Sequence, residues 1–568
     1  MTRRHATPAA SILAIALWAA AAGAQEVRPN ETRPELPAPG PTQPAPGIEL
    51  PQLPAPSPAE GLASGLRLQV ERFEITGSTV FGADELARAV APFTGRELQT
   101  EGLLAARDAV TRLYVDAGYV TSGAVIPDQN PTGGVVRLDV VEGRLAAVDV
   151  EGSPHYRHGY FASRLLRAGR APLHMQRLEE ALRLLQRDPL IERVDAVLQP
   201  GQVRGESRLV LNVREGHRYH VGVEGSNERS PAIGSWGGTV DGSYFNAIGW
   251  GEGVLAHGEF SEGLQDYEGR IEAPITAWDT RASLHYQWTK TKIVESPFDQ
   301  LDIESREQTY GIELEQPVFR DDLDDVRIGL IGELRSLDTE VLGFDFCFEP
   351  TAGFSNPVQH CKGPRATVLR SQVTWTHRTQ VDALALRSLL SVGIDALGAT
   401  TYGDSKFPDG RFVSWLAQAQ WAHALPHVLR DSQLVVRADL QLANQSLFSF
   451  ERFAIGGLTT VRGYRENQLV TDDGAIGSVE VRVPLWNDAL GHHLVEIVPF
   501  MDVGYGWNDG PDPEDNWLWS CGIGLRVRPI AQASGEVWWG GRLKDVNDPK
   551  DHDLQDDGVY VRARVDVP

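Results

Sequence analysis

The chain has 568 residues, a formal net charge of −24 and three cysteines. Such a length suits several domains rather than one. The acidity excludes a nucleic-acid binder, which wants a basic surface, and three cysteines supply neither a disulfide framework nor a metal cluster.

Arg3, Arg4 and His5 precede an apolar run at residues 12–22, and Ala22-Gly23-Ala24 follows as a small-residue cleavage site. Residues 1–24 therefore read as a secretory signal, with the mature chain starting at Gln25. Beyond it no apolar run reaches the roughly 18 residues of a membrane helix. Residues 25–65 are rich in Pro and Ala and sparse in charge. A segment of that composition cannot bury enough apolar surface to fold, so it is expected to act as a tether.

Order is expected from residue 66. Leu68, Val70, Phe73 and Ile75 predict one strand ended by Gly77. Residues 83–93 and 101–117 predict helices; in the second, Leu103, Ala106, Val110, Leu113 and Tyr114 recur at helical spacing. Gly118 follows as a C-cap signal. Residues 121–126 and 135–141 predict strands that close on Val141-Glu142-Gly143. The order then returns: a strand at 147–150, helices at 159–168 and 175–187, and strands at 191–199 and 207–213, closing on Arg214-Glu215-Gly216. One β-α-α-β-β order occurring twice is an internal repeat of roughly 70–75 residues. The expected α+β units are 66–144 and 145–216.

In residues 217–568 helical periodicity stops. About sixteen segments of roughly ten residues alternate in polarity, which predicts an all-β transmembrane barrel of about 16 antiparallel strands. Trp517, Trp519, Cys521, Ile523 and Leu525 alternate with Leu518, Ser520, Gly522, Gly524 and Arg526, one phase suited to lipid and the other to water. Odd-numbered connections are mostly long and even ones mostly short, as expected for outer loops and periplasmic turns. Residues 261–265 are the exception, short where a long loop is expected.

The sharpest candidate is Gly456-Gly457-Leu458-Thr459-Thr460-Val461-Arg462-Gly463-Tyr464, a glycine-flanked arginine in an outer loop. A cation there needs a polar destination, and a hydrated lumen supplies one. Downstream, Ile497, Met501, Val503 and Tyr505 form an apolar phase, so Phe500, Asp502 and Gly504 point inward. An Arg462–Asp502 pair in a partly desolvated lumen would be directional and able to hold the loop folded in. From the residues alone, two separately solvated lumen charges are the alternative.

Cys347 and Cys361 share one long outer loop. Export permits a disulfide, worth about 3 kcal/mol for a loop of about 15 residues; two free thiols are the alternative. Tyr244, Phe245, Trp250, Trp278, Trp486, Trp507, Trp517, Trp538 and Trp539 lie near strand ends, as an interfacial girdle does. The chain has no nucleophile elbow, HExxH, P-loop or metal-ligand spacing, so neither catalysis nor a cofactor is expected.

Two β-α-α-β-β units before a barrel of about sixteen strands, with Val461-Arg462-Gly463-Tyr464 in an outer loop and Phe500-x-Asp502-x-Gly504 downstream, resemble the two-partner secretion transporters of the haemolysin-activator type. Two repeats rather than five, and Ile126-Pro127-Asp128-Gln129 in the first, are similar to the secretion branch of the wider insertase–translocase superfamily. The resemblance implies polypeptide-transport-associated (POTRA) domains in the periplasm that receive an unfolded exoprotein, partly by strand addition. It implies a barrel in outer-membrane lipid, monomeric, with Arg462 meeting Asp502 on its wall. It implies transport without nucleotide or ion gradient. A barrel-assembly insertase and a passive porin-like channel are the alternatives. The chain departs from the family in ending Val565-Asp566-Val567-Pro568, where an aromatic residue is common.

Overall fold

The computed structural model describes residues 48–49, 67–131, 133–186, 188, 190–346, 363–402, 408–425, 431–488, 493–530, 532–546 and 551–567. The expected signal segment, most of the Pro-rich segment, Cys347 and Cys361 lie outside them. The chain divides into two compact units, one holding the repeats and the other the barrel.

In the first repeat the expected single strand is two. Leu68–Val70 pairs antiparallel with Arg96–Leu98, a short strand the sequence pattern did not reveal. Arg72–Thr76 runs parallel to Val135–Val141. The break falls at Glu71, where the amides of Glu71 and Arg72 both donate to Gly134 O and the chain changes partners. Helix Ala83–Val90 begins with Asp84 and Glu85, placed favourably at the positive end of its dipole. It gives way to a 3-10 turn over Ala91–Phe93 at Pro92. Helix Thr100–Asp116 buries Leu103, Ala106, Val110 and Tyr114 on one face. Gly118 follows with φ +88°, a left-handed conformation that glycine tolerates.

The strand expected at 121–126 is only Gly123–Val125, because Pro127 has no N–H with which to continue the ladder. The Gln129 side chain takes its place. Its amide donates to Arg137 O and accepts from Arg137 N, both at 2.8 Å, as a neighbouring strand would.

The second repeat has the same topology. Arg144–Glu151 is parallel to Glu206–Glu215, and Ile191–Pro200 is antiparallel to it. Helix Met175–Gln186 buries Met175, Leu178, Leu182 and Leu185. The Pro-rich segment is not wholly a free tether, since Ile48–Glu49 forms a strand parallel to Ile191–Pro200, opposite Ala196 and Val197. Two-residue addition needs only main-chain bonding at an open sheet edge, which composition does not encode.

Each repeat is fastened by the glutamate of its closing motif. Glu142 accepts from Thr79 N and Oγ1, Val80 N and Tyr114 Oη. Glu215 accepts from Ser153 Oγ, His155 N and Tyr156 N. Burial alone would raise both carboxyls, but the donated hydrogen bonds outweigh it and both pKa values are lowered. Burial pushes the Tyr114 hydroxyl up to about 12.

The second unit is a closed barrel of sixteen antiparallel strands, sealed where Tyr219–Ser226 pairs with Val559–Val567. A two-residue strand, Phe344–Asp345, folds back onto the end of Asp324–Val341. Several strands outrun the expected segments, notably Glu304–Arg320 and Asp324–Val341, so the third and fourth outer loops are shorter than the pattern suggests. The short connection at 261–265 is a tight hairpin between Gly253–Ser261 and Leu264–Pro274. Met501, Val503, Tyr505, Trp517, Trp519, Ile523 and Leu525 face outward as the alternation predicts. Trp538 is a correction to the girdle. Its neighbours Val537 and Trp539 are the outward residues, and Trp538 is buried inside.

Candidate functional site

The outer loop between strands Gln433–Ala443 and Asp473–Asn487 turns into the barrel. Val461, Phe453, Ile455, Tyr464 and Leu469 from the loop pack with Ile476, Leu389, Leu416 and Leu518 from the wall. This apolar seat explains why so long a loop is ordered: it buries side chains that the inner face of a water-filled barrel would leave wet.

Arg462 is 2% exposed. Its Nε and Nη2 donate to the two carboxylate oxygens of Asp502 at 2.7 and 2.8 Å, and its own amide donates to Asp502 Oδ2 at 3.0 Å. Nη1 donates to Glu480 Oε2 and Nη2 to Ser478 Oγ, both at 3.0 Å. The guanidinium lies 3.7 Å from the Phe500 ring centre and 4.8 Å from that of Trp538, a cation–π pairing on each.

Strand alternation assembles this pocket. Ser478 and Glu480 lie directly across the ladder from Asp502 and Phe500, so four inward side chains from two strands meet one arginine. The Phe500-x-Asp502-x-Gly504 spacing thereby acquires three roles. Phe500 supports the guanidinium, Asp502 binds it, and Gly504 leaves room for the loop. A Cβ on Gly504 would come within 2.4 Å of Ile455 and 2.9 Å of Val461.

Gly463 has φ +98°, and a Cβ there would lie 2.8 Å from Gly540 O. Its amide donates to Tyr560 Oη at 3.0 Å, and its carbonyl accepts from Arg542 Nε at 2.8 Å. Tyr464 Oη lies 2.9 and 2.8 Å from the carbonyls of Trp519 and Lys544. The tetrapeptide is thus tied to five strands of wall, through Ser478 and Glu480, Asp502, Trp519, Arg542 and Tyr560.

Two further clasps were not legible in the sequence. Arg465 binds Asp556 and Glu295, each at 2.5 Å. At the loop's other end, Glu451 accepts from Arg335 Nη1 at 2.9 Å and from Arg370 Nη1 and Nη2 at 3.0 and 2.7 Å. Those arginines also hold Glu307 and Glu333. The loop root, through Phe450, Glu451 and Arg452, forms part of the lining of a lumen cavity of about 1270 Å³. For Glu480 a signal existed, since it occupies the inward phase of Val479–Val483 alternation. For Glu451 and Arg465 there was none, because their partners lie more than 80 residues away.

Both arginine and carboxylates are buried, so removing one partner leaves an uncompensated charge at a cost of about 3–5 kcal/mol. The arrangement can therefore keep a loop inside the barrel. Its loss would release the strongest single tie.

Two repeats and a sixteen-stranded barrel with an arginine loop inside define a POTRA-bearing outer-membrane β-barrel transporter. Residues 68–143 match the family described as POTRA domain, ShlB-type. Residues 360–527 match Haemolysin secretion/activation protein ShlB/FhaC/HecB. These matches place the chain among the two-partner secretion outer-membrane transporters, with its POTRA domains in the periplasm.

Among curated relatives, the outer membrane transporter CdiB of Escherichia coli O6:K15:H31 (strain 536 / UPEC) is 24% identical over 478 residues, covering 80% of this chain and 76% of its own length. That of Dickeya dadantii (strain 3937) is 22% identical over 484 residues, covering 83% and 82%. The solved structure of CdiB from Escherichia coli shares the fold with a TM-score of 0.65 at 19% identity, covering 100% of both chains. CdiB from Acinetobacter baumannii has a TM-score of 0.60 at 14% identity, covering 88% of this chain and 90% of its own.

Proposed function

We propose that this transporter secretes one specific exoprotein, which its POTRA domains, residues 66–144 and 145–216, recognise in the periplasm while it is still unfolded. The barrel, residues 217–568, then acts as a monomeric conduit in outer-membrane lipid. Loop residues Val461, Arg462, Gly463 and Tyr464, with Phe500, Asp502 and Gly504, form the lock that keeps the loop docked. The observation that carries this reading is the five-point hydrogen bonding of Arg462 to Asp502, Glu480 and Ser478 inside the lumen. A passive channel has no use for a buried ionic clasp on a folded-in loop.

Recognition by strand addition is supported by the pairing of Ile48–Glu49 with Ile191–Pro200. That edge accepts an extended segment through main-chain bonds, which suit an unfolded chain of varied sequence. Depletion of the protein tests the proposal. One large exoprotein should vanish from the surface and medium while other outer-membrane proteins keep their levels. A general loss of outer-membrane proteins would instead identify an insertase.

A further inference from the structure

The lipid-facing surface carries the same three-residue arrangement twice. Asp324 opens strand Asp324–Val341 just after a periplasmic turn and faces His377 directly across the ladder. Trp375 Nε1 donates to Asp324 Oδ1 at 2.8 Å, and His377 Nδ1 lies 2.9 Å from the same oxygen. Asp382 opens strand Asp382–Ile394 and faces His423 in the same way. Trp421 Nε1 donates to Asp382 Oδ1 at 3.1 Å, and His423 Nδ1 lies 2.8 Å from it.

All six side chains belong to the outward phase. Leu369, Val373 and Trp375 are exposed along one strand, and Val413, Trp415 and Trp421 along the other. In each copy both nitrogens converge on Oδ1. Among the described residues, Oδ2 and the histidine Nε2 have no partner in either copy.

A carboxylate on the lipid face is costly at mid-bilayer and tolerable only near the interface. Its pairing each time with a tryptophan fits the headgroup level, where amphipathic rings collect. An ionised Asp only accepts, so the imidazole donates through Nδ1–H. The other ring nitrogen, Nε2, then carries a lone pair facing outward. Each cluster presents a carboxylate acceptor, an imidazole acceptor and an aromatic face within one small area. The complement is a primary ammonium, with one N–H on Oδ2, another on Nε2 and its charge against the ring face. A quaternary ammonium cannot donate to Oδ2, and a headgroup without an ammonium leaves the carboxylate facing a phosphate. The clusters are two strands apart, about 10 Å at the usual strand spacing, room for two neighbouring lipids.

We propose that Asp324–Trp375–His377 and Asp382–Trp421–His423 are paired headgroup sites for phosphoethanolamine-bearing phospholipids of the periplasmic leaflet. The sites depend on outer-membrane placement and not on what the pore carries.

Native mass spectrometry of the full-length protein, with ethanolamine, choline or glycerol phospholipids added, tests this. The wild type should retain two ethanolamine lipids per barrel, one for each aspartate clasp. Choline and glycerol lipids should be retained at least tenfold less, a discrimination of about 1.4 kcal/mol. Asp324→Asn together with Asp382→Asn should abolish retention, and either change alone should leave one lipid. Heat-modifiable gel migration checks that the variants are folded. If the aspartate pair fails to fold, His377→Gln with His423→Gln carries the same expectation. Undiminished retention by a folded double variant, or equal retention of glycerol lipid, overturns the proposal.

Discussion

Glu142 and Glu215 in the periplasmic repeats and Asp502 in the barrel each anchor a loop, but they face different donors. The glutamates accept from amides and hydroxyls near water, and Glu215 also contacts the exposed His155 imidazole at 2.7 Å. Asp502 faces a guanidinium that is almost wholly buried. A neutral donor that loses its acceptor is rehydrated at small cost. A buried cation that loses its counter-charge is not, so the barrel clasp behaves as a latch and the repeat clasps as fasteners.

The largest effect that would break this contrast lies at the latch. Asp502→Ala should weaken loop docking by about 3–5 kcal/mol, and Arg462→Ala should abolish secretion while the barrel still inserts. Proteolysis of residues 456–468 in the folded barrel reads the first, and unchanged protection would refute it. Wild-type secretion by a stably inserted Arg462→Ala protein would refute the second.

A smaller effect is expected at the loop root. Glu451→Gln removes a charge-assisted partner worth about 1.5–3 kcal/mol, but Arg335 and Arg370 retain Glu307 and Glu333. Single-channel recording in planar bilayers should show more frequent opening with no loss of folded barrel. Identical traces would mean that the root does not gate.

The smallest effect sharpens the other side of the comparison. The folded pKa values of Glu142 and Glu215 are depressed. Their stabilisation is therefore complete above the ordinary glutamate range, about 4.3, and is lost as pH falls through the depressed values. In the full-length protein, amide exchange at Thr79, Val80, His155 and Tyr156, relative to intrinsic rates, should accelerate on acidification. Glu142→Gln and Glu215→Gln should flatten that dependence at their own sites. An unchanged slope would show that other groups set it.

Much of the fold was legible because it rests on periodicity. Val135–Val141 has the expected bounds, and the inward phase of Phe500, Asp502 and Gly504 follows from alternation in a strand with lipid on one side. The split at Glu71 was hidden because both halves are apolar and only their partners differ. Trp538 was misread as a girdle residue because a Trp-Trp pair near a strand end does not itself declare which ring faces in. Within the site, the loop arginine and its carboxylate were visible as candidates. Glu451 with Arg335 and Arg370 was not, since nothing local distinguishes a clasp from any other lumen charge.

By itself the sequence determined what depends on neighbours along the chain: the repeated β-α-α-β-β order, the strand phases, and the glycines that let the loop turn. Tertiary structure alone decided what depends on closure. Bringing Ser478, Glu480, Phe500, Asp502 and Trp538 around one guanidinium requires adjacent strands in register and a loop folded back upon them. Charge-assisted hydrogen bonds and cation–π contacts are short-ranged and directional, so a shift of one strand residue would turn these groups toward lipid and leave Arg462 without a partner.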